Sequence, residues 1–374
     1  MPDWLLKVLG QVYQRIPAGL RPHVKRLYEW FSVRAQALVG RRVVGRAQRV
    51  TFLDFEIAHL EPCEFLGPGR GEVMVGSEFS LVSPGTERAV LCGLPGARRR
   101  FPYAPGYSAV GLVERVGEGM VGFKPGDRVA GRMAHATSGI MSTASLFRVP
   151  DGLPPEAACF IELGIICMQG VRKARIRPGD RVAVVGQGLI GQLAVRLARL
   201  AGASYIWAVA KTRRRAAPIL GEGGADAFIS LSEEPDALDH LGADIAIEAV
   251  GTSPAILLAM QATRDGGRVS LLGSSRDLGR DVDWLSLAQK RNLTLVGAHI
   301  GALPRVDPSA AHRTYQQEGE LFLQLLASRR LRVDDLVTWR AKPRDCNSVY
   351  EVVAHGGGHN VAIVFDWATT GSVL

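Results

Sequence analysis

A glycine-rich turn between an apolar strand and an amphipathic helix is the feature that most constrains this fold. Residues 181–203 read RVAVVGQGLIGQLAVRLARLAGA, with glycines in the spacing GxGxxG. The first glycine permits a tight turn, the second lets the backbone approach a diphosphate, and the third lets the helix pack closely on the strand. Because amides at a helix N-terminus attract anions, the turn predicts a dinucleotide site. The predicted contacts are Gly186, Gly188, Leu189, Ile190 and Gly191.

The glycine-rich turn opens a stretch in which strands alternate with helices. The runs YIWAVA, AFISL, IAIEAVG, RVSLLGS and LTLVGAH are apolar on both faces, as a parallel sheet covered by helices requires. The pattern predicts an α/β fold with a Rossmann-type, doubly wound cofactor-binding domain at residues 176–302. Ligands bind at the carboxyl ends of such strands, although small residues there also serve in ordinary turns. The expected lining residues are Val250, Gly251, Gly273, Ser274, Ala298 and His299.

The end of the second strand distinguishes between the two nicotinamide dinucleotides. NAD-binding chains place an acid about 20 residues after the glycines, where it hydrogen-bonds the ribose 2′-hydroxyl. Ala210 occupies that position. The residues that follow are Lys211, Thr212, Arg213, Arg214 and Arg215. Since these cations and the hydroxyl would attract a 2′-phosphate, NADP(H) is favoured over NAD(H). The alternative is that the arginines form a solvated first helical turn.

The segments that flank the cofactor-binding stretch have a different texture. Residues 43–175 contain short, partly alternating runs separated by Gly and Pro turns, which predict an irregular antiparallel β domain. Residues 156–174 read as a helix. Residues 303–374 hold a helix at roughly 311–329 and two strand-like pieces, LVTWRA and NVAIVFDW, which we expect to return to the first domain.

A basic, amphipathic leader precedes the β-rich region and predicts a helical N-terminal extension at residues 1–42. Residues 1–50 hold ten Lys or Arg and two acids, and therefore eight of the nine net positive charges of the chain. Apolar residues recur at helical spacing over 4–16 and again over 20–31. Residues 1–40 either dock on an anionic membrane surface or a partner, or pack on the protein's own body or a sister subunit.

Composition excludes several classes of protein. The five cysteines form no CxxC pair, which argues against a disulfide framework and a structural zinc knuckle. No stretch of about 20 uncharged apolar residues exists, so a spanning helix is not expected. Because the positive charge belongs to the leader, it does not indicate a nucleic-acid partner. A reducing, cytoplasmic compartment is the simplest expectation, with membrane association through the leader as a variant of it.

From about residue 50 to its end the chain resembles the medium-chain dehydrogenases/reductases. The resemblance rests on VGSEFSLVSPGTE, on PGYSAVGLVERVGEGMVGFKPGDRV, on the glycine-rich turn and on IEAVG. It implies a GroES-like catalytic domain, made of residues 43–175 and 303–374, that is split around the Rossmann domain. It also implies a small-molecule substrate in the cleft between the two domains, and a homo-oligomer.

Many members of that family hold a catalytic zinc, and here the sequence departs from their pattern. Ser83 stands where the cysteine ligand is expected and Tyr107 where the histidine ligand is expected, so that only Glu162 remains as a third ligand. Such a set is poor for a metal that needs about three N, S or O ligands and a water. We therefore expect no metal. The SPGTE and PGYS forms resemble a metal-free branch that includes bacteriochlorophyllide dehydrogenase and enzymes of secondary metabolism.

Without zinc, side chains must orient the reacting oxygen and carry its proton. The resemblance assigns Tyr107 as a donor to that oxygen and Thr86 as the neighbouring hydroxyl. His135 would relay a proton at neutral pH. Glu162 would orient Tyr107 or His135, or remain as a member of an ion pair. The alternatives are that Tyr107 fills the vacated pocket, that His135 is structural and that Thr86 caps a helix.

These features predict an NADP(H)-dependent, zinc-independent oxidoreductase. The first hypothesis is hydride transfer between a secondary alcohol and a ketone on a polar or cyclic substrate, which would be a secondary metabolite in the branch resembled. The second is a metal-free quinone or enoyl reductase that reduces an activated C=C bond. The third is a cofactor-binding subunit without turnover.

Overall fold

The part of the chain that the computed structural model describes contains fifteen strands, which form three sheets of two, seven and six strands. The described residues are 17, 20–40, 44–97, 100–221, 223–274, 283–306 and 313–369. The strands are β1 (Val44–Asp54), β2 (Ile57–Leu66), β3 (Glu72–Leu81), β4 (Ala109–Val116), β5 (Arg128–Gly131), β6 (Ser138–Ser142), β7 (Leu146–Arg148), β8 (Arg181–Val185), β9 (Tyr205–Ala210), β10 (Ala227–Ser230), β11 (Ala243–Glu248), β12 (Thr263–Leu271), β13 (Thr294–Gly297), β14 (Val337–Ala341) and β15 (Ala362–Asp366). The α-helices are α1 (Arg21–Gly40), α2 (Pro84–Leu91), α3 (Pro155–Ala158), α4 (Ile161–Ala174), α5 (Leu189–Leu200), α6 (Ser253–Ala262), α7 (Tyr315–Ala327) and α8 (Cys346–Ala354).

The six-stranded sheet is parallel throughout, in the order β10-β9-β8-β11-β12-β13. Successive side chains of β8 point to opposite faces: Val182 and Val184 join the core under α4 and α5, whereas Ala183 and Val185 join the core under α6. Both faces are therefore covered by helices, which explains why these strands are apolar throughout. The strand order reverses between β8 and β11, and ligands of such sheets bind at that reversal. The predicted α/β fold is confirmed.

The seven-stranded sheet joins the two ends of the chain. Its order is β14-β15-β3-β4-β5-β7. The remaining strand, β6, pairs with residues 72–76 of β3. β15 runs antiparallel to β3 and parallel to β14. The last strands therefore complete a sheet that the first strands begin, while the parallel sheet is formed by the residues between them. The domain boundaries given above stay a prediction.

Two helices differ from the sequence-based expectation. Residues 156–174 form α3 and α4 rather than one helix, because the Ser108 hydroxyl inserts at the break. It donates to the Cys159 carbonyl oxygen at 2.6 Å and accepts from the Glu162 amide at 3.2 Å. The helix expected at roughly 311–329 begins at Tyr315, where Thr314 and Gln317 form a capping box.

The leader contributes one long helix to the described residues. α1 continues to Gly40, well beyond the apolar stripe at 20–31 that predicts it, and packs against the β1–β2 ribbon. The earlier stripe, at 4–16, lies outside the described residues. Among the helices that the structure describes, none is both long and apolar enough to cross a bilayer.

We predict that Arg196→Ala destabilises the fold. Arg196, on α5, is 8% exposed and donates to both carboxylate oxygens of Asp335 and to the Arg332 and Pro218 carbonyl oxygens. Its removal leaves these acceptors unpaired, and because Asp335 is half exposed we expect a loss of about 2 kcal/mol in the free energy of unfolding, measured by urea denaturation. Arg344→Ala, at an exposed ion pair, should cost less than about 0.5 kcal/mol. Equal effects of the two substitutions would contradict this account.

Candidate active site

The glycine-rich turn connects β8 to α5 with no room for side chains at two positions. Gly186 has a φ of +99°, a left-handed conformation that favours glycine. A Cβ on Gly191 would lie 1.7 Å from the Gly186 carbonyl oxygen. The Gly186 amide donates to the Val209 carbonyl oxygen of β9 at 2.8 Å, which fixes the turn on the sheet. The backbone therefore presents the first amides of α5, at Leu189 and Ile190, toward the edge of the sheet.

Gly188 leaves space above the turn, and Arg215 faces that space. The nearest atom to a Cβ built on Gly188 is Nη1 of Arg215, at 3.7 Å. Arg215 is half-buried, and its Nη2 donates to the Gly356 carbonyl oxygen at 2.9 Å. Within the described chain its Nε is buried and has no hydrogen-bond partner, and burial lowers the pKa of the guanidinium. A cation with an unused donor beside an open glycine turn fits a bound diphosphate.

The cations after β9 do not act as one group. Lys211 is exposed and Thr212 half-buried at the end of the strand. Arg213 donates to Glu233 at 2.7 Å and lies 3.7 Å from Glu234, so its charge is already balanced by carboxylates. The expectation that Arg213 and Arg215 together hold the adenosine end of the cofactor is therefore corrected, since Arg215 lies over the glycine turn instead. The three arginines form a short 3₁₀ turn rather than an α-helical one.

Four of the predicted lining residues crowd around the turn. A Cβ on Gly186 would lie 2.4 Å from the Val250 side chain, and one on Gly273 would lie 2.2 Å from the Gly251 amide. A Cβ on Gly251 would lie 2.5 Å from the Ser274 carbonyl oxygen. These contacts bring the ends of β8, β11 and β12 together at one edge of the sheet.

The residues after β13 have structural contacts of their own. Ala298 is buried and donates to the Leu271 carbonyl oxygen at 3.1 Å. His299 is exposed, and its Nδ1 accepts from the Gly301 amide at 3.1 Å, which begins a short 3₁₀ turn. His299 therefore shapes this loop.

Three hydroxyls meet where zinc-dependent chains would hold their metal. The Ser83 Oγ and the Tyr107 phenol oxygen lie 2.7 Å apart, and Thr86 also hydrogen-bonds Tyr107. Burial raises the pKa of Tyr107 to about 12, against the lowering effect of these two hydrogen bonds. The phenol is therefore neutral and able to donate at physiological pH. Thr86 does not cap α2, because the helix begins at Pro84 with Ser83 at the N-cap.

Glu162, at the start of α4, is fully buried in a separate ion-pair cluster. One carboxylate oxygen accepts from Arg132 at 2.9 Å and the other accepts from the Tyr315 hydroxyl. Burial raises the pKa of Glu162, whereas the Arg132 charge lowers it. The expectation that Glu162 orients Tyr107 or His135 through a hydrogen bond is wrong, and its geometry is that of an ion-pair member. Arg132 also lies over the Tyr107 ring, 5.5 Å from its centre, and so joins the two clusters.

His135 lies behind the hydroxyl cluster and is completely buried. Its Nδ1 is 2.7 Å from the Ser80 Oγ and its Nε2 is 3.2 Å from a Glu87 carboxylate oxygen. Glu87 also accepts from the Tyr350 hydroxyl at 2.5 Å and from the Ser83 amide at 2.8 Å. The hydrogen bonds that lead from His135 toward the site thus run through Glu87 and reach Ser83 at its backbone N–H, which does not conduct protons. We therefore correct the proton relay expected for His135: its contacts instead support the segment that carries Ser83.

Several of these residues were missed by sequence reasoning. Glu248 is buried at the end of β11 and accepts from the Val250 and Gly251 amides at 2.7 and 2.6 Å. The sequence did indicate Glu248, because this acid lies inside the apolar run IAIEAVG. No sequence pattern indicated Arg132 and Tyr315, because they are distant in sequence from Glu162 and contact it only in the folded chain.

The donor atoms at the metal position do not fit zinc. Ser83 and Tyr107 are hydrogen-bonded to each other, and a phenol with a pKa of about 12 is a weak ligand. The Glu162 oxygens are occupied by Arg132 and Tyr315. In the part of the chain that the structure describes, no three His, Cys, Asp or Glu side chains are grouped so that they could hold a metal ion.

Comparisons with known proteins find several similar dehydrogenases. A family model described as zinc-binding dehydrogenase matches residues 190–317. (R,R)-butanediol dehydrogenase of Bacillus subtilis (strain 168) is 25% identical over 278 residues, or 65% of this chain and 78% of that one. Sorbitol dehydrogenase of Homo sapiens is 25% identical over 304 residues, or 71% and 80%. The crystal structure of a zinc-binding dehydrogenase from Sinorhizobium meliloti 1021 bound to NADP matches with a TM-score of 0.73 at 21% identity, over 86% of this chain and 99% of that one.

The chain thus resembles zinc-type dehydrogenases of the medium-chain dehydrogenase/reductase superfamily, in sequence over part of its length and in fold over most of it. The family model covers the helix that follows the glycine turn and the later strands of the parallel sheet, and the structural match covers 86% of the chain.

We predict that Tyr107 contributes no tyrosinate signal below about pH 11. Its pKa in the folded protein is raised above the ordinary value of 10, so the stability that its phenol contributes is present below pH 10 and is lost as the pH rises toward 12. Ultraviolet titration of the native protein and of Tyr107→Phe should therefore give the same curve up to about pH 11. A curve for the native protein that exceeds the variant by one tyrosinate near pH 10 would contradict the geometry.

Proposed function

We propose that this chain is a zinc-independent, NADP(H)-dependent oxidoreductase that interconverts a secondary alcohol and a ketone on a polar or cyclic substrate. The observation that carries the proposal is the cluster of Ser83, Thr86 and Tyr107, which offers a neutral phenol beside two hydroxyls. A nicotinamide cofactor, when bound, supplies or accepts the hydride. The side chains of the cluster would handle the oxygen and its proton.

Helix α4 connects the ion-pair cluster at Glu162, which Arg132 joins to Tyr107, to the cofactor turn. Glu162 lies at its first turn, and the Cys167 Sγ is 3.5 Å from the Ile190 carbonyl oxygen at the start of α5. Five residues of helix span about 7.5 Å, so the cluster around Glu162 stands roughly that far along α4 from the glycine turn. This spacing supports a cofactor that reaches from the turn into the cluster.

The direction of proton transfer follows from the Tyr107 pKa. In reduction of a ketone, the Tyr107 phenol would donate its proton to the substrate oxygen while the cofactor supplies hydride to the carbon. The phenolate would then take a proton back through the Ser83 hydroxyl, which passes its proton across their 2.7 Å contact as it accepts one from solvent. In oxidation these transfers reverse. Thr86 holds the phenol from its other side, which limits the rotation of its hydroxyl.

The second strand end supports the preference for NADP(H). Ala210 leaves no carboxylate to repel a 2′-phosphate, while exposed Lys211 and half-buried Thr212 stand next to it. Arg213 contributes less than the sequence indicates, because Glu233 and Glu234 hold it. The Sinorhizobium meliloti structure that resembles this one has NADP bound.

The walls of the site support a polar substrate. The Arg132 side chain is 44% exposed although it pairs with Glu162. The guanidinium of Arg305, which is also exposed, lies 4.2 Å from the centre of the Tyr315 ring. These two cations supply donors for substrate hydroxyl or carbonyl oxygens, and the named relatives act on a butanediol and on sorbitol.

We expect Tyr107→Phe to reduce kcat/KM for ketone reduction by roughly 100- to 1,000-fold, because the proton donor is lost, while NADPH affinity is unchanged. Steady-state kinetics with ketones, enones and quinones measure this. Tyr205→Phe, at the opposite end of the parallel sheet, is the matched control and should leave kcat/KM unchanged. Full ketone reduction by Tyr107→Phe would contradict the proposal. Turnover confined to enones or quinones would favour a C=C reductase. Tight NADPH binding without turnover would favour a non-catalytic subunit.

We expect Arg215→Ala to weaken NADPH and NADH binding alike, by roughly 10- to 100-fold, because Arg215 faces the diphosphate turn shared by both cofactors. Lys211→Ala should weaken NADPH binding selectively. Fluorescence titration gives both dissociation constants, and exposed Arg214→Ala serves as the control. If Arg215→Ala reduced only NADPH affinity, the guanidinium would lie at the 2′-phosphate and our placement of it would be wrong.

A further inference from the structure

Helix α1 packs on the protein with its polar side, the reverse of an ordinary amphipathic helix. Its half-buried positions, Lys25, Glu29, Ser32 and Val33, recur at helical spacing and face the β1–β2 ribbon. Glu29 lies 3.6 Å from Lys25 and 3.5 Å from Arg49 of β1.

Further ion pairs join the same helix to β2. Arg26 meets Glu61 at 2.9 Å and Arg34 meets Glu64 at 3.2 Å. A cleft of about 440 Å³ remains between α1 and the ribbon, so the contact is loose as well as polar. The helix is therefore held on the body by ion pairs and not by an apolar core.

Most apolar side chains that the structure describes in the same segment, Val33 apart, point outward. Leu20 is 55% exposed and Leu27 is 59% exposed, and Val24 between them is exposed as well. Trp30, 40% exposed, and Tyr28, 38% exposed, extend this surface, and Tyr28 also lines the cleft toward the ribbon. The alternative in which the second stripe packs on the protein's own body is therefore wrong for these residues. We call Leu20, Val24, Leu27, Tyr28 and Trp30 the outer stripe.

The tip of the β1–β2 hairpin extends this apolar surface. Phe55 and Ile57 are exposed at the tip. The Phe55 ring lies 4.9 Å from that of Phe101, and Lys25 of α1 donates to the carbonyl oxygen of the adjoining Pro102. The hairpin tip is thus close to the first turns of α1, where Leu20 and Val24 lie.

The charge around the outer stripe selects an anionic partner. The leader, residues 1–42, holds eight Lys or Arg and only two acids. Glu29, the one acid of α1, faces inward between Lys25 and Arg49. A second copy of the chain is a poor match, because an isologous contact would place one basic leader against another without carboxylates from either stripe.

We propose that the outer stripe docks in the interface of an anionic lipid bilayer. Apolar and aromatic residues on one face, together with excess Lys and Arg, are the pattern of helices that lie in the plane of a membrane. Trp and Tyr are also the residues that favour the level of the lipid headgroups. The sequence repeats the pattern at residues 4–16, where a second stripe is accompanied by Lys7 and Arg15. Two weak attractions, apolar burial and positive charge, are what stable peripheral binding requires. This docking is independent of the reaction proposed above.

The test is flotation of the full-length protein with vesicles. We expect the protein to float with phosphatidylcholine–phosphatidylglycerol vesicles and not with pure phosphatidylcholine, and to be released by high salt because the attraction is partly electrostatic. Val24→Glu combined with Leu27→Glu should lower the partition coefficient at least about tenfold, since it removes apolar contact and adds charge. Trp30→Ala should have a smaller effect.

The matched control is Val121→Glu, which makes the same chemical change at a position that is 89% exposed and lies outside α1. This variant should float as the native protein does, and circular dichroism should confirm that every variant is folded. The proposal is overturned if native protein stays with the soluble fraction, if the double variant floats equally well, or if neutral and anionic vesicles bind alike. It is also overturned if size-exclusion chromatography without lipid shows an oligomer that the double variant dissociates, because the stripe is then an interface between copies.

Discussion

The approach of α5 to β8 at the glycine turn is the constraint on which the rest of the site depends. Because a Cβ on Gly191 would stand 1.7 Å from the Gly186 carbonyl oxygen, the helix can sit this close to the strand only with glycine at that position. The closeness aims the α5 amides along the sheet edge and places Val250 against the turn. It also lets Arg215 extend over Gly188 to the Gly356 carbonyl oxygen, so that the cofactor-binding sheet and the loop before β15 meet at the proposed diphosphate.

A second constraint acts at the hydroxyl cluster. The resemblance expects two metal ligands at Ser83 and Tyr107, and here a hydrogen bond joins the hydroxyls of these two residues directly. Behind them, Glu87 fixes the Ser83 backbone and is itself held by buried His135 and Tyr350. A fully paired polar network of this kind is rigid, which supports a phenol held ready to donate. The same scaffold can therefore support hydride chemistry with a neutral acid in place of a Lewis acid.

The fold was largely predictable from the sequence, whereas the partners within the site were not. The turn at residues 181–203 and the doubly apolar strand runs depend on local periodicity, so the parallel sheet and its ligand edge could be predicted. Pairings such as Arg132 with Glu162, or Arg213 with Glu233, depend on how distant segments meet, and no local pattern records them. The orientation of α1 illustrates the same limit: its stripe predicted a helix, but only the positions of Glu61 and Glu64 determine that its polar face turns inward.

The metal content of the active protein tests the central claim most directly. Protein purified without chelators should reduce its ketone substrate with NADPH while mass spectrometry finds far less than one zinc ion per chain, and treatment with a strong chelator should leave the rate unchanged. One tightly bound zinc ion per chain, lost together with activity on chelation and also lost in Ser83→Ala or Tyr107→Phe, would contradict the account.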